Sequence, residues 1–182
     1  MKNTKRLLIT LLLAVIPMMA SAQILEKAAQ RSEIATVETE LEDMPTTELQ
    51  VFRMDNDGSY WLSVGHLGVG IDIIQIQFDP VYELFIPLGN TLDEALETLS
   101  DLQAFYKKPK QSTMEVQGCL AAIVPNDNLE PVTVTSRRFL TSKILSFSVI
   151  RDDLVRATFI SRSDFGSLVL SVKMYRKIHP KE

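Results

Sequence analysis

Cysteine is almost missing from this chain. Cys119 is the single one among 182 residues, which excludes an intramolecular disulfide and any cysteine-based zinc site. It sits in the apolar stretch 119–124, where a thiol reads as a small buried hydrophobe. Histidine is nearly as scarce, with two in the chain, and His66 has no cysteine or second histidine near it, so it reads as structural. Neither G-x-S-x-G nor H-E-x-x-H occurs, so no nucleophile elbow and no zinc-protease helix is written into the chain. The sequence thus points to no catalytic residue, no metal site and no cofactor. It also lacks a run of the roughly twenty apolar residues that a transmembrane helix needs.

The N-terminus carries a shorter run. Basic Lys2, Lys5 and Arg6 precede apolar residues 7–16, then Pro17, then Ala20-Ser21-Ala22. This is the order of a cleaved secretory signal peptide over residues 1–22, with a mature chain beginning at Gln23. No cysteine follows the cleavage point, so no lipid anchor is expected. A short signal ending Ala-Ser-Ala before Gln resembles those of Gram-negative envelope proteins, which implies export to periplasm, envelope or medium. Removing 22 of 182 residues leaves 160. That is enough for one domain to bury about two-thirds of its unfolded surface without staples.

Charge is unevenly placed. The whole chain carries −4, and without residues 1–22, which hold three basic and no acidic side chains, it carries −7. Residues 23–103 hold 16 Asp and Glu against 3 Lys and Arg, a net of −13, while residues 104–182 hold 7 against 13, a net of +6. Such polarity suits either an anionic partner or contact between the two halves. Residues 23–45 form an acidic segment read as helix or tail, since Ile34, Val37, Leu41 and Met44 have helical spacing but Thr36, Val37 and Thr39 are β-branched. Residues 46–182 read as a single domain.

Within that domain, Asp55-Asn56-Asp57-Gly58 between apolar runs signals a β-hairpin. The spacing does not fit an EF-hand, which needs glycine sixth and glutamate twelfth. Gly65-His66-Leu67-Gly68-Val69-Gly70 superficially looks like a phosphate loop, but the glycine order is reversed and strand-like residues follow, which predicts a bulge or bend. Asp79-Pro80 reads as a turn before another strand. A helix is predicted over residues 92–107: Thr91 and Glu94 make a capping box, and Pro109 ends it. Leu92, Ala95, Leu96, Leu99, Leu102 and Tyr106 give it a single apolar face.

The C-terminal third alternates apolar and polar residues over 145–149, 155–159 and 168–174, which predicts a three-stranded meander with loops at 151–153 and 163–166. In that register Leu145 faces Phe159, Phe147 faces Ala157, and Arg156 lies directly across from Lys173. Like charges in that position are unfavourable unless an anion screens them. Arg162 and Lys177 extend the same surface. The expected binding face is therefore Arg156, Arg162, Lys173 and Lys177, toward an anionic partner or the chain's own acidic residues 33–43, with no nucleic acid and no membrane-spanning helix. The expected fold is α+β, a curled antiparallel sheet of about eight strands with one amphipathic helix, at about residues 91–108, packed on it. The expected function is a secreted or periplasmic noncatalytic binding protein. Its rival is an envelope hydrolase built on Asp72, Asp79 or Glu83 with His66.

Overall fold

A computed structural model describes residues 31–39, 47–69, 77–151 and 153–180. The expected signal peptide and cleavage site, Gly70 and Asp72 lie outside these residues. Among the described residues eight strands and two helices follow in order: β1 (Arg31–Thr39), β2 (Thr47–Met54), β3 (Tyr60–Val69), β4 (Gln77–Gly89), α1 (Leu92–Phe105), β5 (Thr113–Ala121), β6 (Glu130–Phe139), β7 (Ser142–Arg151), β8 (Leu154–Ser161) and α2 (Arg162–Ile178).

Every strand pairs antiparallel with the next, and β8 returns to β3. Strands β3 to β8 therefore close into a six-stranded barrel, and β1 and β2 extend the sheet beyond it. Strand β3 makes this possible by serving two neighbours along one edge. Its first half pairs with β2, from Gln50↔Ser63 to Arg53↔Tyr60, while Gly68 and Val69 pair with Ala157 and Arg156 of β8. Between the two halves the register with β4 shifts twice, on either side of His66, and Gly65 has φ 79°. A residue with a Cβ is strained at that φ. The glycine-rich stretch is thus a bend that redirects the strand, not an anion loop.

The hairpin at residues 55–58 forms as expected. Gly58 takes φ 76°, and Asp57 Oδ1 accepts from the Ser59 hydroxyl at 2.6 Å and the Ser59 amide at 2.8 Å. The hydroxyl bond, seconded by the amide, holds the Asp57 carboxyl below its ordinary pKa.

Helix α1 also begins where expected. Thr91 Oγ1 accepts from the Glu94 amide at 3.2 Å, and Glu94 Oε2 accepts from the Asn90 amide at 2.7 Å. The reciprocal bond thus reaches one residue further back than in the usual box. Thr91→Ala is expected to cost about 1 kcal/mol of unfolding free energy. Equilibrium denaturation checks this, and a change near zero places the helix start elsewhere.

Four expectations are corrected. Residues 31–39 form a strand, not a helix: the β-branched residues prevail because β2 offers a paired edge, from Arg31↔Met54 to Thr39↔Thr47. Asp79-Pro80 lies inside β4 and makes no turn. The β7–β8 loop is one residue tighter than expected, so Leu145 faces Ile160 and Phe147 faces Thr158. That slip turns Val155 outward and puts Arg156 across from Val149, on the apolar face. The third meander strand is in fact helix α2. Ser161 Oγ accepts from the Asp164 amide at 3.1 Å and caps it, and Phe165, Leu168, Val169 and Val172 are buried at helical spacing. Lys173 and Lys177 are therefore on a helix, and the Arg156–Lys173 strand pair does not exist.

Helix α2 packs on β1, β2 and α1. Its buried residues join Leu99 and Leu102 of α1, Leu62 of β3, Ile86 of β4 and Phe147 of β7 in one core. A second, smaller cluster on the other sheet face holds Phe52, Met54, Phe85, Cys119 and Ala121. Burial pushes the Cys119 thiol up, as befits a core hydrophobe and not a reactive sulfur.

Candidate anion-binding cleft

Of the hollows on the described surface, the most strongly charged is made where α1 stops. Pro109 cannot continue the helix. The chain instead tightens through Lys107 N→Ala104 O and Lys108 N→Phe105 O, both 3.0 Å, leaving Lys107, Lys108 and Lys110 on the connection to β5. That connection is stitched to β6. The Gln111 amide donates to Ser136 O at 2.7 Å, with Gln111 at φ 68°, and the Ser136 amide donates to Ser112 O at 2.9 Å.

Strand β6 brings Arg137 and Arg138, and the hairpin to β7 brings Lys143. Its tip is Leu140-Thr141, with Leu140 at φ 51° and 76% exposed. The register places Arg138 directly across from Lys143. Two like charges thus share one cross-strand position, which is unfavourable in the absence of a counter-charge. This is the juxtaposition expected of Arg156 and Lys173, found at another hairpin. Lys143 Nζ donates to Tyr106 O at 3.1 Å, so the negative end of α1 holds one of the two.

The result is a cleft of about 380 Å³ lined by Lys107, Lys108, Pro109, Lys110, Ser136, Arg137, Arg138 and Lys143. Six cations line it and no carboxylate does. None of the six is in an ion pair among the described residues. A second hollow of about 310 Å³ shares Lys110, Arg137 and Arg138 and adds Thr135, Ile144 and Phe159. Tyr106 fixes the back of the site. Its hydroxyl is shared between Ile160 O and Ser161 O, both at 3.1 Å, tying α1 to the start of α2. Burial, with the nearby Asp164 charge, raises the Tyr106 pKa well above its ordinary value.

The other hollow, of about 290 Å³, is lined by Arg31, Glu38, Glu48, Gln50, Ser63, Gly65, His66 and Glu83. Here two residues of the hydrolase reading do meet, since His66 and Glu83 are cross-strand partners. Asp72 and the Asp79 side chain lie outside the described part of the chain. Glu83 accepts from the Ser63 hydroxyl at 3.0 Å and lies 4.0 Å from Arg31. A nucleophilic triad needs the histidine between hydroxyl and carboxylate, whereas here the serine donates straight to the glutamate. Arg31 donates to Ile123 O at 3.1 Å and stacks over Phe52. These contacts join strands.

No family model, curated protein or solved structure matches the chain.

The site reading therefore rests on geometry. Of the residues expected from sequence, Arg162, Lys173 and Lys177 are exposed on α2, and Arg156 is half-buried on β8. None of the four lines the basic cleft. The acidic residues 33–43 do not reach it in their described part: Glu33 accepts from Gln50 at 3.2 Å, and Glu38 pairs with Glu48 in the other hollow. Among the described residues no three His, Cys, Asp or Glu side chains are placed to hold a metal ion. No described helix is long and apolar enough to cross a membrane.

Proposed function

We propose that this chain is an exported, noncatalytic binding protein that takes an anionic group into the cleft between the end of α1 and the β6–β7 hairpin. The carrying observation is the convergence of six cations on one cleft without a carboxylate, two of them, Arg138 and Lys143, directly opposed. Folding this arrangement costs free energy that an anion returns on binding, because charge-assisted hydrogen bonds to Lys and Arg are the strong ones. Arg137 and Arg138 suit planar, two-pronged contact with phosphate, sulfate or carboxylate oxygens. The stitched backbone at Gln111 and Ser136 pre-sets the site and lowers the ordering cost of binding.

Inorganic phosphate and pyrophosphate test this at low ionic strength. At a ligand concentration near 100 times Kd, linkage stabilises the fold by about 2.7 kcal/mol, which for a domain of this size raises Tm by roughly 5 to 10 °C. Added sodium chloride shrinks the rise. Arg138→Ser with Lys143→Ser removes it, and changes the stability of the unliganded protein little, because the lost Lys143 bond to Tyr106 O is offset by the repulsion that goes with it. A wild-type Tm indifferent to both anions overturns the proposal, as does a rise that survives the double substitution.

A further inference from the structure

Helix α2 has a second face that neither the core nor the basic cleft uses. Leu170, Met174 and Ile178, at 60, 56 and 72% exposure, follow each other every fourth residue and form a stripe about 12 Å long. At 100° per residue, Lys173 and Lys177 fall beside that stripe, both exposed, and exposed Arg162 stands about 12 Å before its start. Opposite charge stands nearby on α1, whose Glu97 and Asp101 are exposed. Arg176 is held bidentate by Asp93 of α1 at 2.9 Å, and Asp164, at the helix start, has its Oδ2 buried. Between Leu170 and Ile178 the outward face of α2 thus carries three large apolar side chains with Lys173 and Lys177 beside them, and no carboxylate.

We infer that this face seats α2 on an anionic lipid surface. An apolar stripe flanked by Lys and Arg is the arrangement by which a helix lies in a bilayer interface, apolar side chains among the acyl chains and cations at the headgroups. Other occupants fit less well. A second copy of the chain, docked by the same face, brings Arg162, Lys173 and Lys177 of both copies together. A specific protein partner is disfavoured because lysine is depleted from interface cores and the stripe is convex. The inference does not depend on the cleft. It is a peripheral contact, made by one helix of an otherwise packed domain.

The test is cosedimentation of protein recovered in its exported form with large vesicles of phosphatidylglycerol and phosphatidylethanolamine, against vesicles of phosphatidylcholine alone. Binding at least tenfold stronger to the anionic vesicles is expected, weakening with salt. Leu170→Ser, Met174→Ser and Ile178→Ser together are expected to lower it at least tenfold without loss of fold, since all three are exposed. Lys173→Gln with Lys177→Gln is expected to lower it and flatten its salt dependence. Absence of wild-type binding to anionic vesicles overturns the inference. So does unchanged binding in the apolar triple variant, which reduces adsorption to plain charge. Loss of binding in Arg138→Ser with Lys143→Ser assigns the lipid to the cleft and overturns it too. Phosphate titration of the cleft is read separately, so either reading fails alone.

Discussion

Phe165→Ala is expected to lower the unfolding free energy by about 3 to 5 kcal/mol, while Leu170→Ala, five residues along the same helix, changes it by no more than about 0.5 kcal/mol. Phe165 is fully buried and packs on Tyr106, ring centroids 5.8 Å apart and tilted by 49°. Removing the ring leaves a cavity beneath the Tyr106 strap, whose hydroxyl bonds to Ile160 O and Ser161 O resist collapse into it. Leu170 points to solvent. The contrast is specific to a helix. In a strand running through 168, 170, 172 and 174, Leu168 and Leu170 share a face and cost similar amounts on truncation. Equal losses for Leu168→Ala and Leu170→Ala in chemical denaturation therefore refute α2 as described.

The same segment shows where the sequence was legible and where it was not. Residues 168, 170, 172 and 174 are apolar with period two, and residues 165, 168, 169 and 172 are apolar with helical period. Periodicity alone does not separate these. The deciding signal is local: Ser161 accepts from the amide three residues on, as Thr91 does, and so caps a helix that runs through the expected loop at 163–166. Helix α1 and the hairpin at 55–58 were legible because a capping pair and an Asp-Gly turn act within four residues, whatever the rest of the chain does. Closure of the barrel was not legible. It depends on which strand meets the second half of β3, a contact between residues 68–69 and 156–157.

The basic cleft was legible as charge and illegible as a place. The +6 of residues 104–182 was counted, but Lys107, Lys108 and Lys110 meet Arg137 and Arg138 only because β5 and β6 pair from Thr113↔Thr135 onward. The hairpin that sets Arg138 against Lys143 has Phe139-Leu140-Thr141-Ser142 at its tip, without the Gly, Asn or Asp that announces a turn. Leu140 adopts a positive φ all the same. A bulky residue so placed is uncommon, and the rest of the hairpin's pairing must hold it there.

Glycine to alanine is expected to act in opposite directions at two positions, and the signs follow from space alone. In an unfolded chain the substitution removes conformational freedom, which by itself stabilises the fold by about 0.4 to 1 kcal/mol. At Gly118 of β5 that gain is overwhelmed. A Cβ there stands 2.7 Å from Val132 Cγ2, 2.9 Å from Phe85 O and 3.2 Å from Leu84 Cδ1. Val132 is fully buried with a stiff χ1, and the carbonyl belongs to a paired strand, so neither yields cheaply. Gly118→Ala is expected to lose about 1 to 3 kcal/mol by overpacking. At Gly166, in α2, the nearest atom to an added Cβ is Gln103 Nε2 at 3.7 Å, an ordinary contact. The helix there gains about 1 kcal/mol, the usual margin of alanine over glycine in a helix interior. Urea titrations of the two variants, compared through midpoints at equal slope, measure both. If Gly166→Ala destabilises, residue 166 is not helical and the loop reading of 163–166 returns. If Gly118→Ala stabilises, the approach of β5 to β4 and β6 is looser than described, and with it the barrel wall that leads from α1 to the cleft.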